Sequence, residues 1–97
     1  MRETPHPKIR DMFFLTMYYI YILKSFKDNL LYIGSTVDLK KRITEHQSGS
    51  VFATKYRLPL ELVYYEAYKK EWMARKREKQ LKYFGKAYQG LKERLML

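Results

Sequence analysis

At 97 residues, 46% of them hydrophobic and 16% aromatic, the chain is long enough for one small folded domain with a modest core and too apolar for a disordered tail. It has no cysteine, which excludes disulfides, thiolate zinc sites and thiol nucleophiles and fits a reducing, cytoplasmic setting. Its 20 Lys and Arg against 10 Asp and Glu leave a formal charge of +10, which points to a polyanionic partner, nucleic acid before a membrane surface, with plain solubility as the bland alternative.

Residues 1–16 read as a separate N-terminal extension, because Pro5 and Pro7 oppose regular structure and the charges are mixed. Arg2, Lys8 and Arg10 before the apolar run Met12–Leu23 resemble a secretory leader. No small-residue cleavage site follows, however, and the run continues into a tyrosine-rich strand. It is also too short to cross a bilayer, which takes about 20 residues. Met17 is the expected start of a compact domain over 17–97.

Tyr18–Lys24 is almost continuously apolar and rich in β-favouring residues, so it reads as a strand covered on both faces. Lys27-Asp28-Asn29 is a turn, and Leu30–Gly34 the second strand of a hairpin. Alternation puts Tyr19, Tyr21 and Leu23 on one face, and Leu30, Tyr32 and Gly34 on one face of the next strand. Tyr21 and Tyr32 then meet if the register allows; simple core packing is the other reading of both.

A helix is expected next, with Thr36 as N-cap, Asp38 in the first turn and Gly49 as the C-terminal breaker. Arg42 and His46, four apart, share one of its faces. A solvated arginine and a packing histidine are the bland alternatives. Residues 51–59 form a basic loop in which Lys55 and Arg57 interleave with Phe52 and Tyr56, a pattern that suits phosphates and exposed bases. Leu60–Tyr68 is the third strand, with Leu60, Leu62 and Tyr64 expected on one face.

In the following helix, about 71–84, Glu78 falls inside an inward stripe of Ala74, Leu81 and Gly85, while Arg75, Lys76, Lys79 and Lys82 flank it. A carboxylate on an inward face is costly unless it is paired or holds a cation. A salt bridge to Arg42 or Arg77 and a metal ligand both remain open on spacing alone. With only His6 and His46 as histidines, any metal here needs oxygen ligands. Gly85 is expected to break the helix before a last amphipathic helix on Tyr88, Leu91 and Leu95.

The ordered set Tyr19-Ile20-Tyr21, Tyr32-Ile33-Gly34, Arg42, His46 and helical Glu78 resembles the GIY-YIG nuclease superfamily. From Met17 to about Leu95 the chain is similar to small stand-alone bacterial members. Ser35-Thr36-Val37-Asp38-Leu39, Ala53-Thr54-Lys55-Tyr56 and Arg77-Glu78-Lys79-Gln80-Leu81-Lys82 carry that narrower likeness.

The resemblance implies an α+β, ββαβαα fold: a three-stranded antiparallel sheet flanked by helices. It also implies metal-dependent hydrolysis of phosphodiester bonds in nucleic acid, usually DNA, in repair, recombination or processing. On that resemblance Tyr32 is the general base or its relay, and Tyr21 positions water or phosphate. Arg42 stabilises phosphoryl charge, His46 assists, and Glu78 is the one protein ligand to magnesium or manganese. Lys41, Lys55, Arg57, Arg75 and Lys79 are the candidate nucleic-acid contacts.

Three departures stand out: Tyr19 replaces the first glycine, Ser35 stands where some repair members have lysine, and Gly90 where larger members often carry a polar residue. A non-catalytic nucleic-acid-binding module and an accessory protein that docks an acidic protein partner are the alternative functions.

Overall fold

The computed structural model describes residues 17–97; the expected extension over 1–16 lies outside the described residues. Strand β1, Tyr18–Ser25, is the middle of a three-stranded antiparallel sheet ordered β2-β1-β3, with β2 at Leu31–Thr36 and β3 at Leu60–Tyr68. Its near-continuous apolar sequence is explained by that central place: Ile20, Tyr21, Ile22 and Leu23 are all buried, alternately on the two faces.

The β1–β2 turn is built from side chains. Ser25 Oγ accepts from the backbone N–H of Lys27 and Asp28, Asp28 Oδ1 accepts from Leu30 N–H, and Asn29 takes the left-handed conformation at φ 60°. Asp28 thereby takes the Leu30 amide, leaving Leu30 exposed, and the strand starts one residue later than expected. The ladder sets Tyr21 opposite Gly34 and Leu23 opposite Tyr32.

Pairing of β1 with β3 shifts between Ile22 and Leu23, so Ile22 faces Tyr64 while Leu23 faces Leu62. The extra residue, Val63, is a bulge. Leu62 and Tyr64, expected on one face, therefore lie on opposite faces. An inserted residue inverts the alternation beyond it.

Helix α1 spans Leu39–Gln47, α2 Glu71–Tyr83 and α3 Gly85–Leu95. The N-cap of α1 is Asp38, whose carboxylate accepts from Lys41 N–H at 3.1 Å; Thr36, the expected cap, instead accepts from Asp38 N–H. Gly49, at φ 81°, follows the helix as expected. Gly85 does not open a gap between the last two helices, since α3 begins on it and Phe84 alone joins the pair. Both pack on one face of the sheet around Ile20, Ile22, Ala74, Leu81 and Leu91. Each buried isoleucine or leucine among them contributes about 1.5–3 kcal/mol. Helix α1 packs on the other face, and the two tyrosines of the hairpin point toward it.

Candidate active site

The Tyr21 ring lies directly over Gly34. A Cβ added at Gly34 would stand 2.5 Å from the Tyr21 hydroxyl oxygen and 2.6 Å from the carbon bearing it. Only glycine leaves room for that crossing. The phenol so placed meets α1, where its oxygen is 2.7 Å from Nε2 of His46. The other ring nitrogen, Nδ1, is 2.7 Å from Oγ1 of Thr54 in the loop after α1. Tyr21, His46 and Thr54 are all buried. Tyr32, two residues before Gly34 and on the same face, packs its ring 5.2 Å from that of His46 and 6.3 Å from that of Tyr21, centroid to centroid.

Charge converges on the same phenol. Burial pushes the Tyr21 hydroxyl pKa up, the adjacent Arg42 guanidinium draws it down, and the charges of Tyr32 and Glu78 push it up. Arg42, on α1, bonds Glu45 at 3.0 Å and acts on Tyr21 at the same time. Burial, with Arg42 beside it, pulls the His46 pKa from 6.5 to about 4, so the ring is neutral near pH 7.

The fifth predicted residue, Glu78, comes from α2, and its side chain is only 18% exposed. Its partner is Lys82, one turn on at 3.0 Å, and neither Arg42 nor Arg77. Arg77 bonds Glu66 instead, which also accepts from the hydroxyls of Tyr64 and Tyr68. Lys82 borders a depression shared with Tyr32, so the α2 stripe runs alongside the second tyrosine. Tyr21, Tyr32 and His46 thus come into contact and Arg42 stands beside Tyr21, whereas Glu78 lines its own depression with Arg75, Lys79, Lys82 and Tyr83.

The predicted nucleic-acid contacts divide into two groups. Lys55 stands over the exposed rings of Phe52 and Tyr56, at 5.1 and 4.9 Å from their centroids. Lys41 and Lys79 are exposed and form no ion pair among the described residues. Arg57 is engaged by Asp28 at 2.8 Å, and Arg75 by Glu71 at 3.2 Å. Sequence reasoning assigned no role to Thr54. The phrase Ala53-Thr54-Lys55-Tyr56 marked the stretch as family-like, but no periodicity or spacing pointed from the threonine to His46.

No cluster of three or more His, Cys, Asp or Glu side chains that could hold a metal occurs among the described residues. A lone carboxylate such as Glu78 fits a hard cation that keeps most of its waters and borrows oxygens from a bound phosphate.

The family description "GIY-YIG catalytic domain" matches residues 17–95. The chain belongs to that family. This GIY-YIG domain is similar to a UPF0213 protein of Staphylococcus saprophyticus subsp. saprophyticus, 43% identical over 70 residues, which cover 71% of this chain and 84% of the relative. It is also similar to a UPF0213 protein of Streptococcus pyogenes serotype M5, 47% identical over 51 residues, covering 52% of this chain and 54% of that protein. The chain thus spans about half the length of the streptococcal relatives it matches. The solution NMR structure of a UPF0213 protein from Bacillus halodurans superposes with a TM-score of 0.50 at 33% identity, over 78% of this chain and 83% of that one. The α+β architecture, with its antiparallel β2-β1-β3 sheet followed by helices, agrees with that neighbour. The family description is that of a nuclease-type domain. No helix among the described residues is long and apolar enough to cross a membrane.

Proposed function

We propose that this GIY-YIG domain is an endonuclease, dependent on Mg2+ or Mn2+, that hydrolyses phosphodiester bonds in nucleic acid, DNA first. One observation carries the reading. The buried Tyr21 phenol is held 2.7 Å from Nε2 of His46, and the Tyr32 ring packs 5.2 Å from the same imidazole, so the motif residues of β1, β2 and α1 meet at one point.

Tyr32 is the less buried of the two phenols, so it has access to water and is suited to accept the proton of an attacking water molecule, directly or as a relay. Tyr21, with its oxygen engaged by His46, orients water or a phosphoryl oxygen. Arg42 supplies fixed positive charge where negative charge grows on the phosphoryl group. Glu78, with oxygens of the substrate, would hold the divalent cation, which when bound supplies Lewis-acid polarisation of the phosphate. Binding there requires Lys82 to release Glu78. Lys41, Lys55 and Lys79 suit the flanking phosphates. A cysteine-free, strongly basic domain fits a reducing compartment rich in nucleic acid, so we assign it to the cytoplasm and to DNA processing in repair or recombination.

The Glu78–Lys82 pair also favours a second reading, a nucleic-acid-binding module whose site no longer takes a cation. A cleavage panel over duplex, branched and single-stranded DNA and RNA, with Mg2+ or Mn2+, separates the two. The nuclease cuts at least one substrate, and Glu78→Gln drops the rate by about a hundredfold or more while the fold survives. Intact substrates throughout, together with salt-sensitive binding that Glu78→Gln leaves unchanged, would replace the enzyme with the binding module.

A further inference from the structure

Of the residues that line the depression beside Tyr32 and the one beside Glu78, Lys82 alone belongs to both. Leu31 and Tyr88 border the first with Tyr32, and Arg75 and Lys79 border the second with Glu78. The Lys82 ammonium lies 3.0 Å from Oε2 of Glu78, although Lys82 is exposed and the Glu78 side chain is mostly covered. A pair four residues apart on one helix adds little stability and is easily rearranged. The covered carboxylate, by contrast, needs some cation beside it.

The charge of the second depression decides which cation that is. Arg75, Lys79 and Lys82 set three positive charges around one carboxylate. Glu71 answers Arg75 at 3.2 Å, whereas Lys79 has no carboxylate partner among the described residues. A divalent cation entering alone is repelled by Lys79 and Lys82, and it must push the Lys82 ammonium into water with no new anion to meet. A phosphate meets no such repulsion. Seated over Lys82, it has the Tyr32 depression on one side and the Glu78 depression on the other. It gives the ammonium a replacement anion, and it brings the oxygens that a cation with one protein ligand needs.

We propose that Lys82 is a positioning residue that closes the Glu78 site to divalent cations until a nucleic-acid phosphate draws its ammonium away, so that nucleic acid binds before the metal. The inference rests on the nuclease reading for Glu78 as the ligand. It goes beyond that reading in making the Glu78–Lys82 pair a removable stopper, with an order of binding as the consequence. Because coupling is reciprocal, cation and phosphate must each tighten the other.

Mn2+ binding, followed by water-proton relaxation, tests this without catalysis. The native chain alone should hold Mn2+ weakly. Lys82→Met, which keeps the side-chain length and the helix propensity, should hold it about tenfold or more tightly, and adding Glu78→Gln should remove that gain. A cleavage-resistant phosphorothioate oligonucleotide should tighten Mn2+ binding to the native chain severalfold and to Lys82→Met by less. The Glu78→Gln chain subtracts the ions held by the oligonucleotide itself. Should Lys82→Met misfold, the oligonucleotide effect on the native chain decides alone. Mn2+ held equally well with and without oligonucleotide, an affinity in Lys82→Met within about twofold of native, or a gain that survives Glu78→Gln would each overturn the proposal and leave a plain helix-surface pair. The nuclease reading fails separately. Intact substrates throughout, with Mn2+ affinities as expected, remove the enzyme and keep the stopper; cleavage by a native chain whose Mn2+ affinity ignores Lys82 does the reverse.

Discussion

At the scale of single residues, the pocket depends on one missing side chain. Gly34 lies under the Tyr21 ring, and any Cβ there must displace a phenol wedged against His46. Gly34→Ala is expected to cost about 1–3 kcal/mol of stability, the usual cost of overpacking, and to break the Tyr21–His46 bond. Chemical denaturation and the His46 ring signals test both; an alanine variant with native values for each would show that the crossing is not tight. His46 itself makes stability depend on pH. Its folded pKa is depressed from 6.5 to about 4, so within that window the unfolded chain binds a proton the folded ring refuses. The contribution is complete above about pH 6.5 and is lost as pH falls toward about 4. The urea midpoint should decline across that window, and His46→Gln should flatten the slope. A midpoint that stays level in the native chain would contradict a buried neutral ring.

Among the elements, β3 and α2 are joined by a polar clasp on the core side of the sheet. Glu66 accepts from Tyr64, Tyr68 and Arg77, with only 15% of its side chain exposed. Although burial raises the Glu66 pKa, the Arg77 guanidinium and the two hydroxyls outweigh it and hold the carboxylate below its ordinary range. The clasp owes its geometry to the Val63 bulge, which brings Tyr64, Glu66 and Tyr68 onto the α2 face together. Glu66→Ala leaves a half-buried guanidinium and two hydroxyls without their acceptor and should cost about 2–3 kcal/mol. Because Glu78 rides on the same helix, the variant should also loosen the site. Thermal melting and cleavage rate are expected to fall together, whereas a loss of less than about 0.5 kcal/mol would mean that the clasp is ornamental.

For the whole molecule, the decisive quantity is the charge of +10 on the full 97-residue chain. Nucleic-acid affinity should fall steeply as salt rises from about 50 to about 200 mM, through counterion release. Lys55→Ala and Lys79→Ala should each lower the salt slope by about one, since Lys79 is exposed and Lys55, half-buried over two exposed rings, is in no ion pair among the described residues. Arg57→Ala should act differently: its guanidinium already pairs with Asp28, so the larger effect is a loosened loop and turn. A salt-independent affinity would argue against a phosphate-binding surface altogether.

Patterns of short range were legible along the chain. Alternation and turn residues marked three strands, helical spacing marked the helices, and the two tripeptides with Arg42, His46 and Glu78 marked the family. Each of those signals is carried by neighbours within a few positions, or by an order of motifs that survives without knowing the fold. What stayed hidden depends on which segments meet. The bulge at Val63 is a property of a strand pair, so no alternation count within β3 could reveal that Leu62 and Tyr64 part company. Asp38 displaced Thr36 as the cap because Thr36 remained in the β2 ladder. Glu78 found Lys82, Arg77 found Glu66, and Thr54 found His46, because side-chain reach in the folded chain, and not sequence pattern, selects the partner of a buried polar group.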